Sequence, residues 1–392
     1  MQPITAFTDL YSSPGSKRVY RSGIYQFLDC IYGPQRAGTG ATEKEMQGYE
    51  NLAEQYVTDK GRDHMADLMS FSIHISEKPP HTARTYMNVV REFLANNNIE
   101  FPSRDLKRVM SKLPKGGART IEAEMTHETL KTLLTHLDAK GRALIITLAS
   151  SGMRIGECLQ VRINDVDLTS EPAQIMIRGE FTKTGNQRIV FISKEAVHAI
   201  KEWLKVRENY INSAKNRNRG LVASGVGATR PTSEKDPRLF PFTGKTVDQF
   251  WDTALRNSGL LNYDETTNRK DLHIHMLRKF FRSQLAMSCP IDVVESLMGH
   301  AGYLTDAYRR ISKAQMKEAY QKNEFRITIQ APRELQEMSN EIQDKMTTHS
   351  NLIVNLSNEN LQLKNQIVTI MEHMKSITDR IESDPRFPAR MI

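Results

Sequence analysis

The chain is expected to be mainly α with a small antiparallel sheet (α+β), in three parts: a helical N-terminal domain, a larger mixed domain and a C-terminal coiled coil. Three observations predict this. Apolar residues recur at helical spacing over residues 12–113; an alternating apolar stretch near residues 175–191 has the period of strands; a heptad runs from residue 335 to 381. At 392 residues the chain has room for more than one core.

Residues 1–11 read as an N-terminal extension. The helical domain, 12–113, contains two similar segments: Tyr20, Ile24, Phe27 and Leu28 are echoed by Tyr86, Val90, Phe93 and Leu94. Leu68, Met69, Phe71 and Ile73 mark a helix between them, which Pro79-Pro80 is expected to end. Basic residues beside these stripes, Lys17, Arg18, Arg21, Arg84, Arg91, Arg104, Lys107 and Arg108, are candidate contacts to a phosphate backbone. Pro114-Lys115-Gly116-Gly117 opens a linker over 114–121, since paired glycines and a proline disfavour helix.

In the second domain, 122–332, Leu144, Ile145, Leu148 and Ala149 predict a buried helix broken at Ser151-Gly152. A second helix then carries Arg154 and Glu157 on one face, where the carboxylate can hold the guanidinium in one rotamer. Ile175 and Ile177 alternate against Ile189 and Phe191, like a hairpin turning at Gly185-Asn186 with Lys183 beside the turn. Most lysines at such turns are merely solvated. Residues 213–237 read as a mobile insertion, after which Leu239-Phe240-Pro241-Phe242 resumes the core. His275 and Arg278 share a helix face, and the helix beginning near Ile291 is expected to end at Gly299, leaving His300 at its terminus. Tyr308 follows; Tyr303 crowds His300, and Tyr320 sits in a Lys- and Glu-rich helix that reads as peripheral.

Together these stretches supply two guanidiniums, an ammonium, two imidazoles and a phenol. Arg154 and Arg278 can grip the non-bridging oxygens of a phosphodiester at any working pH. A lysine whose pKa falls beside two arginines can donate a proton, and a phenol can form a covalent intermediate that conserves the cleaved bond. No metal or nucleotide cofactor is expected. Cys30, Cys158 and Cys289 are too few and too scattered for a disulfide framework or zinc site.

Five ordered motifs carry a resemblance: Ser151-Gly152-Met153-Arg154-Ile155-Gly156-Glu157, Thr182-Lys183-Thr184-Gly185, His275-Met276-Leu277-Arg278, Met298-Gly299-His300 and Tyr308-Arg309-Arg310. From about residue 12 to 330 the chain resembles the tyrosine recombinases, and especially archaeal integrase-like members through His275–Phe281 and Gly302–Tyr308. The resemblance implies that Arg154 and Arg278 bind the scissile phosphate, Lys183 protonates the leaving 5′ oxygen, His275 and His300 assist, and Tyr308 becomes bonded to the 3′ phosphate. It implies site-specific recombination of double-stranded DNA within a tetrameric synapse, in the cytoplasm on the nucleoid. The alternatives are nicking and resealing of one duplex, as in type IB topoisomerases, and a catalytically silent DNA-binding protein.

Composition agrees with a nucleic-acid partner: 54 Lys and Arg against 46 Asp and Glu leave +8. Residues 335–381 hold six acids and four bases, so with 382–392 neutral the preceding residues carry +10. No run spans a membrane and no signal segment is expected.

The last helix, 333–382, places Leu335, Ile342, His349, Leu356, Leu363, Ile370 and Ile377 at one heptad position. Ser339, Met346, Ile353, Asn360, Ile367, Met374 and Ile381 fall four residues after each, and Asn360 is the register-fixing kind of exception. Residues 383–392 form a tail. The alternative is a helix folded back on its own domain.

Overall fold

In a computed structural model of the chain, residues 2–36, 38, 40–182, 185–223, 236–299, 311–329 and 333–383 are described. The chain divides into two compact units, Met1–Ala123 with Asn262–Asp271, and Glu124–Leu261 with Leu272–Ile392.

The first unit is helical: α1 Pro3–Asp9, α2 Pro14–Tyr32, α3 Glu43–Thr58, α4 His64–His74, α5 Pro80–Asn96 and α6 Ser103–Ser111. Each start has a local cause. Ser13 and Asp63 accept backbone N–H groups at the entries of α2 and α4, and Thr42 forms a reciprocal capping box with Glu45. Pro79-Pro80 opens α5 rather than ending α4, because proline suits the first helical turn, where its missing N–H is not needed.

The apolar stripes of α2 and α5 meet in an aromatic core. Phe27 lies edge-on to Tyr56 at 5.1 Å and to Phe71 at 5.3 Å, while Tyr25 stacks on Tyr49 at 4.0 Å. Residues 1–11 are not an extension. Ile4 and Phe7 are buried in that core, and the carboxylate of Glu50 on α3 accepts the Ile4 N–H at 3.0 Å and the Thr5 N–H at 2.8 Å. A buried acid thereby satisfies the otherwise orphaned first turn of α1. The end of the expected linker is also anchored: Ile121 N–H donates to Asp264 Oδ2 at 2.9 Å, and Ala123 N–H to Asp271 O at 3.2 Å.

The second unit contains α7 His127–Thr135, α8 Ala139–Ser151, α9 Ile155–Cys158, α10 Lys194–Ala223, α11 Gly244–Asn257, α12 Met276–Ala286, α13 Ile291–Met298, α14 Lys313–Asn323 and α15 Arg333–Ser383. Its sheet is β1 Val166–Asp167, β2 Ala173–Ile177 and β3 Arg188–Ile192, antiparallel in the order β1-β2-β3, with Ile175 opposite Val190. Helix α8 is central: residues 143–151 are all buried, and it packs against α10, α12 and β3. A helix apolar all round is stable only when covered on every side.

Three sequence expectations change here. Residues 178–187 connect β2 to β3 through a short 3₁₀ turn at Gly179–Phe181, so the connection is longer than a two-residue Gly-Asn hairpin. Residues 213–223 continue α10 rather than beginning an insertion. Tyr320 is not peripheral: it is fully buried, and its hydroxyl donates to Ser150 O at 2.8 Å, tying α14 to the end of α8. Helix α15 is continuous over the expected heptads, and its described side chains from 352 to 379 are all exposed, so they do not fold back on the domain.

Candidate active site

Helix α8 ends at Gly152, whose φ of +62° is left-handed and whose missing side chain makes room for the Phe281 ring. The turn delivers Arg154 to the N-cap of α9. There its N–H donates to Glu157 Oε2 at 3.0 Å and its Nη1 to Oε1 at 3.0 Å, the pairing that the i,i+3 spacing leads one to expect.

Glu157 is only 3% exposed, and Arg154 is not its main partner. Arg188, the first residue of β3, donates from Nη1 to Oε1 at 3.2 Å and from Nη2 to Oε2 at 2.5 Å. Burial alone would raise the carboxyl pKa, but Arg188 and the Arg154 N–H outweigh it and hold Glu157 below the ordinary glutamate range. Sequence reasoning missed Arg188. It lies 31 residues from Glu157 on another element, and only the burial of an acid needing more than one base would have pointed to it.

Arg278, on α12, is 4% exposed. Its Nη2 donates to Met298 O at 2.9 Å and its Nη1 to Gly152 O, so one side chain joins α12 to the turn after α8 and to the last residue of α13. Burial, then the charge of Arg154, lower its pKa to about 10, which leaves it cationic near neutrality. The fields of Glu157 and Arg188 also reach it. Three guanidiniums therefore gather around one buried carboxylate.

Helix α13 ends at Gly299, as its sequence predicts, with φ of +71°. A β-carbon there would collide with the Arg188 side chain, so glycine lets the chain pass close to the arginine cluster before residue 300. His275 is the N-cap of α12, exposed, with its ring 6.4 Å from that of His273. Desolvation, followed by the charges of Arg278, His273, Lys279 and Arg154, lowers its pKa and favours the neutral imidazole.

Lys183, His300, Tyr303 and Tyr308 lie outside the described residues. On either side of Lys183, Thr182 Oγ1 donates within the connection to Gly179 O at 3.0 Å, and Gly185 has φ of +75°. Of the candidate backbone-contact residues, Lys17, Arg18 and Arg21 lie on α2, Arg84 and Arg91 on α5, and Arg104, Lys107 and Arg108 on α6. Arg18, Arg84, Arg104, Lys107 and Arg108 are exposed, whereas Lys17 is paired with Asp9 at 2.7 Å and Arg91 is half-buried. Among the described residues, no cluster of three His, Cys, Asp or Glu has the arrangement of a metal site, and no helix is long and apolar enough to cross a membrane.

The phage integrase family model matches residues 123–315. Tyrosine recombinase XerC of Lacticaseibacillus casei is 26% identical over 333 residues, covering 82% of this chain and 98% of that one. Tyrosine recombinase XerA of Pyrococcus horikoshii is 25% identical over 224 residues, covering 56% and 66%. Among solved structures, XerH site-specific recombinase bound to difH substrate aligns over 79% of this chain and 96% of its own, at 18% identity and a TM-score of 0.43. A lambda integrase dimer bound to a COC′ core site aligns over 75% and 98%, at 12% identity and a TM-score of 0.42.

Proposed function

Because the chain belongs to the tyrosine recombinase family, we propose that it breaks and rejoins double-stranded DNA at particular sites through Tyr308. Site-specific DNA recombination is the family's activity and is this chain's. The finer mechanism, its residues and its assembly follow here as our reading.

The observation that carries the reading is the gathering of Arg154, Arg188 and Arg278 about the single carboxylate of Glu157. Three fixed positive groups around the carboxylate of Glu157 make a place for an anion. A phosphodiester gains charge on its non-bridging oxygens as the transition state forms, and preorganised guanidiniums stabilise that charge without reorganising. Glu157 and Arg188 keep Arg154 in position; Arg278 adds charge while holding Gly152 and Met298 in place.

In the forward step the Tyr308 oxygen attacks phosphorus, the bond to the 5′ oxygen breaks, and Lys183 gives that oxygen a proton. The phenolic proton passes to an imidazole, His275 or His300; the lowered pKa of His275 keeps that ring in the neutral form, which has a nitrogen free to accept. The product is a 3′ phosphotyrosine and a free 5′ hydroxyl. Attack by a 5′ hydroxyl of a second strand reverses every bond change, so no nucleotide is consumed. Exchange between two duplexes requires several protomers, four in a complete synapse, while the exposed bases of α2, α5 and α6 hold the backbone.

The test is to incubate the full chain with DNA from the genome that encodes it, quench with detergent, and map both the trapped DNA and the modified peptide. Wild type should give an adduct on Tyr308 at a limited set of sequences, and Tyr308→Phe should bind DNA but give none. An adduct on Tyr303, or undiminished adduct in the variant, overturns the assignment. Relaxation of arbitrary supercoiled plasmid without exchange between sites supports the topoisomerase alternative instead.

A further inference from the structure

We propose that α15 joins two copies of this chain as a parallel, in-register, two-stranded coiled coil over residues 352–379. This goes beyond the strand-exchange chemistry and does not depend on it. Over this span the helix is about 42 Å long at 1.5 Å per residue. With Ile353 at heptad position a, the a row continues through Asn360, Ile367 and Met374, and the d row is Leu356, Leu363, Ile370 and Ile377. The seven apolar members are 49–66% exposed. Every c and f position from 355 to 379 is polar. Such a helix has one face built to be covered and an opposite face built for water.

The occupant follows from two particulars of register. Asn360 interrupts the apolar a row, and its side-chain amide donates to Leu356 O of its own helix at 3.0 Å. In a parallel pair, a faces a, so Asn360 meets Asn360 of the second copy and the amides satisfy one another. In an antiparallel pair a faces d, and the same amide is buried against leucine or isoleucine. The flanking charges agree. Glu359 occupies g and Lys364 the following e, the positions that approach each other across a parallel interface, so two copies in register form two symmetry-related Glu359–Lys364 pairs beside the asparagines. Neither particular would be of use against an unrelated apolar surface.

Other occupants fit less well. Residues 352–379 carry three acids and two bases, so the helix lacks the basic polar face that holds an amphipathic helix on an anionic membrane or a phosphate backbone. Ile353 and Ile367 at a with Leu356 and Leu363 at d favour two strands, whereas Ile370 and Ile377 at d pull towards more, and the parallel pairing of Asn360 decides for two. A third row, Val354, Leu361 and Val368 at b, becomes central only in a larger bundle, which makes stoichiometry part of the test.

Sedimentation equilibrium on the full chain without DNA should give a dimer. Ile367→Asp with Ile370→Asp should give monomer with unchanged circular dichroism outside the loss of α15 helicity. Glu359→Lys turns both symmetry-related pairs from attraction to repulsion and should weaken dimerisation roughly tenfold. Adding Lys364→Glu should restore it, a rescue that helix propensity alone does not give. Asn360→Cys should cross-link on mild oxidation, whereas Asn358→Cys, on the outer face, should not exceed the unsubstituted chain with its native cysteines. A monomeric wild type, a trimer or tetramer, failed rescue by the charge swap, or absence of a cross-link in the Asn360→Cys variant would each overturn the proposal.

Discussion

Arg188→Ala tests whether the guanidinium cluster is held together by the buried Glu157. The substitution removes both donors that Arg188 places on the carboxylate, at 3.2 and 2.5 Å, from a group only 3% exposed. Breaking a buried pair by deleting one partner costs about 3–5 kcal/mol; since Arg154 still supplies its N–H and Nη1, the expected loss here is about 2–3 kcal/mol. For a unit of this size that lowers the melting temperature by roughly 5–10 °C. The pH dependence is the sharper readout. In wild type the folded-state pKa of Glu157 lies below the ordinary 4.5, so its contribution is present above that pH and is lost as pH falls through the depressed value. Without Arg188, burial is opposed only by Arg154 and the folded pKa rises. The penalty is then fullest at neutral pH and shrinks on acidification. Urea denaturation of wild type and variant should give a stability gap that is widest near neutral pH and narrows on acidification, and strand cleavage should fall about tenfold as Arg154 loses its fixed rotamer. Arg188→Lys should recover only part of either loss, because an ammonium cannot match the carboxylate with two parallel donors. A gap under about 0.5 kcal/mol that does not vary with pH would refute the reasoning.

Arg154→Ala or Arg278→Ala should lower the rate of covalent adduct formation by about 10²-fold or more while weakening DNA binding much less; equal losses in both would make these residues positioning contacts for the duplex. Gly152→Ala should destabilise the second unit by about 2–4 kcal/mol in a urea titration, because it combines a left-handed φ with a clash against Phe281; a neutral result would mean that the α8–α9 turn is plastic. Tyr320→Phe should cost about 1–2 kcal/mol by leaving Ser150 O without its donor, yet retain wild-type adduct yield, since its hydroxyl is buried in the core; loss of the adduct with the stability unchanged would assign Tyr320 a chemical role.

What the sequence made legible was decided by whether the forces on a residue are local. The stripes of α2 and α5 repeat at helical spacing because each helix has one buried face, and the break at Ser151-Gly152 announces itself because only glycine suits the turn that Phe281 leaves open. The Arg154–Glu157 pair is legible because three residues along a helix end bring the groups together. Helix α3 was missed because its core face is Tyr49, Ala53 and Tyr56 beside a buried Glu50, a pattern weak in aliphatics. The docking of α1 was missed because it depends on that same Glu50, 46 residues from Ile4. Tyr320 was misjudged because Lys317, Glu318 and Lys322 colour its helix polar, while its ring packs in a core with Phe191 and its hydroxyl reaches Ser150, 170 residues away in sequence.

The site divides along the same line, and the division explains how it is built. Motif spacing nominates residues for chemistry on a phosphodiester, because those types are scarce and their order is informative. It says little about what keeps like charges together. Arg154, Arg188 and Arg278 repel one another, and Arg278 is made less basic by burial and by Arg154. The fold opposes that repulsion by two different means. Glu157 supplies a counter-charge, shared by Arg154 and Arg188. Arg278 is instead held by carbonyls, Gly152 O at the end of α8 and Met298 O at the end of α13. Peptide dipoles at helix C-termini carry partial negative charge, so they stabilise the cation without neutralising it. Neutralising all three guanidiniums with acids would leave nothing for a phosphate to bind. Holding Arg278 through carbonyls as well as charge helps keep the cluster folded while preserving positive charge, and it ties the positions of α8, α12 and α13 to the same candidate site.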